Sequence, residues 1–383
     1  MKMNLRKLLF PIICMLLVAT AYGAQGESKP KKKDVLKAVR LANDYFMNKW
    51  SDPGEEIPYP SRNKNYETHV WTRAVYFEGL MDLYSIDKQQ RYIDYAEQWG
   101  EFHNWQVRGG VQSRDADNHC AGQTYIMLYQ MDPSKPERIA KIKESIDLMI
   151  ATGRVDYWTW IDAVQMAMPV MALLSNVTGD RIYAEKAHEM YLHTKNVQGG
   201  GLYNSRDRLW WRDKDFVPPY TEPNGKDCYW SRGNGWIVMA MVRMLQILPE
   251  DAPYRDQYEE MLVDMCNALV ELQREDGLWN VSLHDPTHFG GPELSGTAMF
   301  LQGMAYGVNN GLLDAKKFNP VIYKGWNGMV DICLHPNGFL GYVQGTGKEP
   351  KEAQPVTYYR EPDFDDYGLG AFIMAGVEIY KMK

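Results

Sequence analysis

The sequence predicts an all-α fold, an (α/α)6 barrel in which six inner helices stand inside six outer helices. Two kinds of helical segment alternate strictly along the chain. One kind carries charges along one face, as a helix on a protein surface does, whereas the other is apolar or small on nearly every face, as a buried helix is. Connections as short as 85–88 and 178–180 make sequence neighbours antiparallel. These observations indicate two concentric rings.

The segments follow one another in a regular order. The amphipathic set lies near 35–48, 89–103, 137–151, 181–195, 254–273 and 317–333. The apolar set lies near 70–84, 119–131, 162–177, 234–248, 295–309 and 367–381. Pro169 predicts a kink near the second turn of the third apolar helix. Residues 51–66 are predicted to be a loop, and 199–211 a short β-hairpin. An open superhelix of helix pairs is the alternative to a closed ring.

The first 24 residues resemble a secretory signal peptide. Lys2, Arg6 and Lys7 precede an apolar run over 8–23 that is too short to span a bilayer. We expect 25–34 to be a flexible leader and 35–383 a single catalytic barrel domain. The mature protein would then be periplasmic or secreted, without stable insertion in a membrane.

Composition narrows the class of ligand. The net charge of −7 argues against a nucleic-acid partner. An aromatic content of 13% suits a carbohydrate cleft, and it suits a large helical core equally well. No phosphate loop, dinucleotide fingerprint or nucleophile elbow is present, so we expect no cofactor. His284 and His288 flank Pro286, which breaks helical spacing, so we expect no metal either.

Four cysteines follow the predicted signal peptide: Cys120, Cys228, Cys266 and Cys333. In an exported protein they could pair in three ways. Because most of them lie in or near helical patterns, buried free thiols are an equally good expectation.

All inner helices of such a barrel point the same way, so their N-termini meet at one end, here called the mouth. Asp162, which follows Trp160 and opens an apolar helix, is the best candidate catalytic residue. Aromatic surroundings would raise its pKa and a helix N-terminus would lower it, a balance suited to a general acid that later acts as a base. Asp117 is the candidate partner carboxylate, and His119 lies beside it. The competing explanations are a plain N-cap for Asp162, a loop-capping aspartate for Asp117 and a satisfied polar contact for His119.

The stretch 227–236 places further unusual residues at the mouth. Trp230 and Trp236 offer apolar faces, Arg232 offers a planar cation suited to a carboxylate, and Gly233 and Gly235 permit close approach of the backbone. The apolar helix that follows would add the positive end of its dipole. We therefore expect an anion site here, with a tight turn around core tryptophans as the simpler interpretation.

Taken together, several motifs resemble those of the unsaturated rhamnogalacturonyl hydrolases, glycoside hydrolase family 105, which is related to the family 88 unsaturated glucuronyl hydrolases. The motifs are WTWIDA at 158–163, NVTGD at 176–180, WSRGNGW at 230–236, PELSGT at 292–297, GYVQ at 341–344 and DYGLGAF at 366–372. The resemblance covers essentially the whole mature chain and implies the same barrel.

The resemblance also implies a reaction on lyase-generated oligosaccharides, of rhamnogalacturonan type by default. The enzyme hydrates the C4=C5 double bond of a terminal 4,5-unsaturated uronic acid, and the neighbouring sugar is released. Asp162 would protonate the double bond, with Asp117 as the second acidic residue. Arg232, Trp230 and Trp236 would hold the uronate, with Trp160 and His119 beside them. Arg212 stands where several relatives have histidine: either it binds the sugar in that role, as a charged hydrogen-bond donor, or the sugar contact differs.

Two other functions fit the residues. An inverting glycosidase would use Asp117 and Asp162 as base and acid, with roughly 6.5–9.5 Å between the carboxyl groups. A non-catalytic, exported glycan-binding protein would use the aromatic residues alone.

Overall fold

The computed structural model describes residues 28–59, 64–361 and 366–383. The predicted signal peptide, 1–24, and the first part of the predicted leader lie outside these residues. The first helix begins at Lys32, so the last residues of the predicted 25–34 leader are already helical.

Within the described residues, the outer helices are α1 (Lys32–Lys49), α3 (Gln90–Phe102), α6 (Glu137–Ile150), α8 (Ile182–Asn196), α10 (Arg255–Val270) and α12 (Ala315–Cys333). The inner helices are α2 (Trp71–Ile86), α5 (Ala121–Met131), α7 (Asp162–Thr178), α9 (Ser231–Ile247), α11 (Leu294–Asn309) and α13 (Asp366–Lys381). A four-residue helix, α4 (Ala116–His119), precedes α5. The predicted alternation is therefore confirmed, and α7 continues through Pro169.

Burial separates the two rings as the amphipathic pattern predicts. Every residue of α9 from Ser231 to Leu245 is buried, because this helix is surrounded on all sides. By contrast, α1 buries a single stripe that includes Val35, Val39 and Phe46. The apolar segments of the sequence thus form the inner wall, and the charged faces of the outer helices meet solvent.

The inner ring is closed. Each inner helix packs on the next, and α13 packs on α2, which excludes the open superhelix. Closure depends on glycine at the junction of α2 with α13. A Cβ atom at Gly370 would lie 2.3 Å from the carbonyl oxygen of Val75, and one at Gly79 would lie 2.8 Å from that of Gly370. The two backbones can therefore approach only where side chains are absent.

Long connections gather at one end of the barrel. Residues 197–230, between α8 and α9, contain the predicted hairpin, β3 (Tyr203–Asn204) paired with β4 (Leu209–Trp210). The predicted loop over 51–66 contains a second hairpin that the sequence pattern missed, β1 (Ile57–Tyr59) paired with β2 (Lys64–Tyr66). Both hairpins precede inner helices, so they stand at the mouth.

In the part of the chain that the structure describes, no helix combines the length and hydropathy needed to cross a bilayer. All four described cysteines are buried free thiols, which decides between the two expectations for them.

Candidate active site

Asp162 is the first residue of α7, and the chain that leads to it is fixed by the strand-like segment after β4. The Ile161 N–H donates to the Arg212 carbonyl at 3.0 Å, and Trp160 forms an isolated β-bridge with Asp213. The hairpin predicted from 199–211 therefore carries Arg212 directly to the start of α7.

Arg212 contacts two carboxylates. Its Nε donates to Asp162 Oδ2 at 3.1 Å, and its Nη1 donates to Asp213 Oδ2 at 2.7 Å. The Arg212 side chain is 20% exposed and that of Asp162 is 12% exposed, so the pair is shielded but reachable. Such an ion pair interacts more strongly than one at an open surface.

Burial raises the pKa of Asp162, while the nearby charges of Arg212 and Arg232 oppose that rise. The sequence predicted a rise from aromatic surroundings and an opposing effect of the helix N-terminus; the net shift is upward, and the largest opposing cause is the charge of Arg212. A carboxyl group with a raised pKa retains a proton closer to neutral pH, as a general acid requires.

Asp117 lies half-buried in α4, and its pKa is raised to about 8. Burial is the main cause, followed by the negative charges of Asp115 and Asp162, while the charges of Arg212 and Arg108 oppose the shift. The Asp162 carboxyl thus lies close enough to Asp117 to affect its ionisation, and the role of the two as a catalytic pair stays a prediction. Asp115 caps α4 by accepting the Asp117 N–H at 3.0 Å.

Arg232 is almost fully buried, at 1% exposed, and its terminal nitrogens are engaged. Nη1 donates to the Gln344 carbonyl at 2.7 Å, and Nη2 donates to that of Gly345 at 2.8 Å. Its guanidinium also lies 4.5 Å from the centre of the Trp230 ring. This differs from the open cationic fork expected from the sequence, because the arginine anchors a neighbouring loop. Direct binding of a carboxylate by Arg232 stays a prediction.

The tryptophans of the 227–236 stretch are also interior residues. The Trp230 indole N–H donates to Gln344 Oε1 at 2.9 Å, and Trp236 packs edge-on against Trp71 with centroids 5.8 Å apart. A Cβ atom at Gly233 would meet the Trp230 ring at 2.9 Å, so this glycine admits a protein side chain. Trp160 is only half-buried, which leaves it the better placed of the three predicted aromatic residues to meet a sugar.

The structure places His119 away from solvent and against an outer helix, contrary to the sugar contact expected. The side chain is fully buried, and its Nε2 lies 3.1 Å from Ser145 Oγ and 3.3 Å from the Ser113 carbonyl. Burial lowers its pKa to about 4. A structural histidine bound through Nε2 explains these contacts, and the sequence could not distinguish it from a ligand-binding one.

Within residues 28–59, 64–361 and 366–383, no group of three or more metal-ligating side chains is assembled. His288, one of the two histidines considered above, is bound through Nδ1 to Glu222.

Sequence reasoning missed two polar residues near the site. Gln344, in the GYVQ motif, accepts from Trp230 and belongs to the loop that Arg232 anchors. Glu78 is fully buried between inner helices. The sequence feature that could have identified Glu78 is its position as an acidic residue in the middle of an otherwise apolar helix. A buried carboxylate almost always has partners, so such a residue indicates a polar contact inside the barrel.

Comparison with known proteins gives a consistent result. A family model described as Glycosyl Hydrolase Family 88 matches residues 38–383. An unsaturated 3S-rhamnoglycuronyl hydrolase from Formosa agariphila is 32% identical over 82% of this chain and 85% of its own length. The solved structure of a Bacteroides vulgatus family 88 glycosyl hydrolase has a TM-score of 0.82 at 29% identity, covering 92% of this chain and 99% of that one. A structure named as a polysaccharide lyase has a TM-score of 0.80 at 30% identity, covering 91% of this chain and 97% of that one.

Proposed function

The chain belongs to Glycosyl Hydrolase Family 88, and from this premise we propose that it removes the terminal 4,5-unsaturated uronate from lyase-generated oligosaccharides by hydrating the C4=C5 double bond. It is a glycoside hydrolase. We further propose rhamnose as the neighbouring sugar, because two relatives are named as unsaturated 3S-rhamnoglycuronyl hydrolases.

The observation that carries the mechanism is the contact between Asp162 and Arg212 at the mouth. In the proposed reaction, the protonated Asp162 carboxyl transfers its proton to C4, and positive charge develops at C5 and the ring oxygen. Water then adds to C5 and returns a proton to Asp162, so the net change is the addition of one water. The resulting hemiketal opens and releases the neighbouring sugar.

Arg212 would act mainly after the proton has left. Asp162 becomes negative at that moment, and a guanidinium already 3.1 Å away stabilises the new charge without rearrangement. The same cation would attract the uronate carboxylate. Asp117, whose pKa of about 8 keeps it largely protonated at neutral pH, would donate a hydrogen bond there and would not repel the anionic substrate.

The direct test follows the ultraviolet absorbance of the conjugated double bond in a lyase-generated unsaturated rhamnose disaccharide. We expect wild-type protein to abolish the absorbance and Asp162→Asn to leave it unchanged. Asp156→Asn, which alters an exposed aspartate paired with Arg154, is the matched control and should behave as wild type. Persistence of the absorbance with wild type, across rhamnose- and uronate-linked substrates, would refute the proposal.

Three other outcomes would each favour a different function. Release of sugar from a saturated glycoside would favour the inverting glycosidase. A rise in absorbance on intact polysaccharide would favour a lyase, the activity named for one structural relative. Binding without turnover, unaffected by Asp162→Asn, would favour the glycan-binding alternative.

We also propose that the protein is exported. The support is the basic, apolar and small-residue order of residues 1–24. N-terminal sequencing of protein recovered outside the cytoplasm should begin near Ala24, and an intact N-terminus on a cytoplasmic protein would contradict export.

A further inference from the structure

Glu78 joins three consecutive inner helices below the mouth. It lies in α2, and its Oε1 accepts from Gln123 Nε2 of α5 at 2.9 Å and from the Cys120 thiol at 3.3 Å. Its Oε2 accepts from Gln165 Nε2 of α7, also at 2.9 Å. One carboxyl group therefore holds α5 and α7 to α2 through direct side-chain contacts.

These two helices are the ones that follow the candidate catalytic carboxyls. Asp162 lies three residues before Gln165, which places the two on the same face of α7. Asp117 lies three residues before Cys120, in the short helix that leads into α5. Gln123 also donates to the Gln165 carbonyl at 3.0 Å, so α5 and α7 are tied to each other as well as to Glu78. The spacing of the two carboxyls is thus fixed about one helical turn above Glu78.

A buried carboxyl group is a costly way to hold helices together. Burial raises the pKa of Glu78 to about 8, and the charges and hydrogen bonds of Arg243, Cys120 and Gln165 oppose that rise, while Asp82 adds to it. Arg243 in α9 is the nearest cation, with Nε 3.9 Å from Glu78 Oε2, and it also bonds Asp82 through Nη1 at 3.0 Å. Apolar residues of similar volume often serve stability equally well or better. A purely structural role therefore explains this group poorly.

We propose that Glu78 is a positioning residue for the reaction, which sets the relative placement of Asp117 and Asp162 through Gln123, Cys120 and Gln165 without touching the substrate. The inference rests on the proposed function of those two aspartates.

The test compares Glu78→Gln with Glu378→Gln. Glu378 is the matched control because it is also a buried glutamate that joins inner helices, accepting from Gln246 of α9 at 3.0 Å, but it lies near the C-terminal end of α13, away from the mouth. In Glu78→Gln, an amide N–H₂ replaces one acceptor oxygen and faces a donor from α5 or α7. We expect kcat on the unsaturated disaccharide to fall at least about tenfold with little change in KM, because small misplacements of reacting groups are costly. We also expect its pH–rate profile to shift, whereas Glu378→Gln should lower Tm alone.

A second variant keeps the result decisive if Glu78→Gln folds poorly. Gln165→Met removes the side-chain hydrogen bond to α7 and leaves the Glu78 carboxyl group in place, so it should also lower kcat with KM nearly unchanged. Wild-type kcat and pH profile in both variants, with only a lower Tm, would overturn the proposal.

Crystal structures separate this inference from the proposed function. The distance between the Asp117 and Asp162 carboxyls should change in Glu78→Gln and stay fixed in Glu378→Gln, whatever the substrate is. An unchanged distance would overturn the positioning role even if the enzyme is active. If the distance changes in Glu78→Gln but the wild-type protein leaves the double bond intact, only the proposed function is overturned.

Discussion

Arg212 Nε lies 3.1 Å from Asp162 Oδ2, so the candidate general acid at the mouth already has a cationic partner. The pair combines two opposing influences on one carboxyl group. Burial favours the protonated form of Asp162, and Arg212 favours the ionised form that exists after proton transfer.

Replacing Arg212 with methionine should separate these influences. Loss of the cation raises the pKa of Asp162 further, so the alkaline limb of the kcat/KM profile should move to higher pH. The maximal kcat/KM should fall by roughly 10²-fold, because the developing carboxylate and the uronate both lose a fixed partner. Steady-state kinetics from pH 5 to 9 measure both effects.

Two further variants serve as a control and as a conservative replacement for Arg212→Met. Arg154→Met removes an exposed arginine paired with Asp156 and should change neither parameter. Arg212→His should restore activity at acid pH and lose it above about pH 6.5, where histidine becomes neutral. An unshifted alkaline limb in Arg212→Met would show that Arg212 does not control the ionisation of Asp162.

Asp117→Asn should make stability less sensitive to pH. The unfolded chain ionises this carboxyl near pH 4, whereas the folded protein ionises it near pH 8, so the group destabilises the fold increasingly between those values. The variant should therefore gain free energy of unfolding relative to wild type as pH rises from 4 to 9, by up to about 5 kcal/mol. Urea unfolding measures the gain, and equal gains at both pH values would contradict the raised pKa.

His119→Gln should protect the fold at acid pH and leave substrate binding intact. The pKa of His119 is about 4 in the folded protein and about 6.5 in the unfolded chain, so its contribution is complete above pH 6.5 and is lost as pH falls toward 4. As pH falls from 6.5 to 4, the free energy of unfolding of the wild-type protein should drop by about 3 kcal/mol through this group, and that of the glutamine variant should not. His69 and His103 also have lowered pKa values but are common to both proteins, so the difference isolates His119. A KM raised severalfold in His119→Gln would instead support the predicted contact between His119 and the sugar.

Arg232→Lys should loosen the loop around Gln344. Lysine cannot donate to the Gln344 and Gly345 carbonyls with the same planar fork. We therefore expect the free energy of unfolding to fall by about 2–4 kcal/mol and the amides of 341–346 to exchange hydrogen faster. KM should rise because this loop packs on Trp230. The control is Arg138→Lys, another buried arginine that donates to a backbone carbonyl, that of Leu128, but between outer and inner helices. It should lower Tm without raising KM, and an equal KM for both variants would argue against a role for Arg232 at the site.

The thiols provide a simple check on the core. Cys120, Cys228, Cys266 and Cys333 are buried and unpaired, so a reducing agent should leave Tm unchanged. A thiol reagent should label these four only after denaturation. A Tm that falls on reduction would reveal a disulfide.

Much of the fold was predictable because the burial of a helix determines which of its faces are apolar, and that pattern is visible in the sequence. Segments such as 234–248 are apolar all round because helices surround them, and α9 accordingly buries every residue from Ser231 to Leu245. Asp162 was predictable for a related reason, since its aromatic and apolar neighbours at a helix start indicated a desolvated carboxyl. The β1–β2 hairpin was missed because Pro, Gly and Asn are as common in loops as in tight turns.

The sequence by itself determined the order and burial of the long helices, because their periodicity is local and strong. Only the tertiary structure decided which polar side chains face the mouth. Arg232 and His119 are residue types that often bind ligands. In the structure, however, Arg232 anchors the backbone at 344–345 and His119 contacts Ser145. Arg212 reaches Asp162 across 50 residues of chain. Contacts between distant segments depend on how the rings close, and local pattern does not encode that geometry.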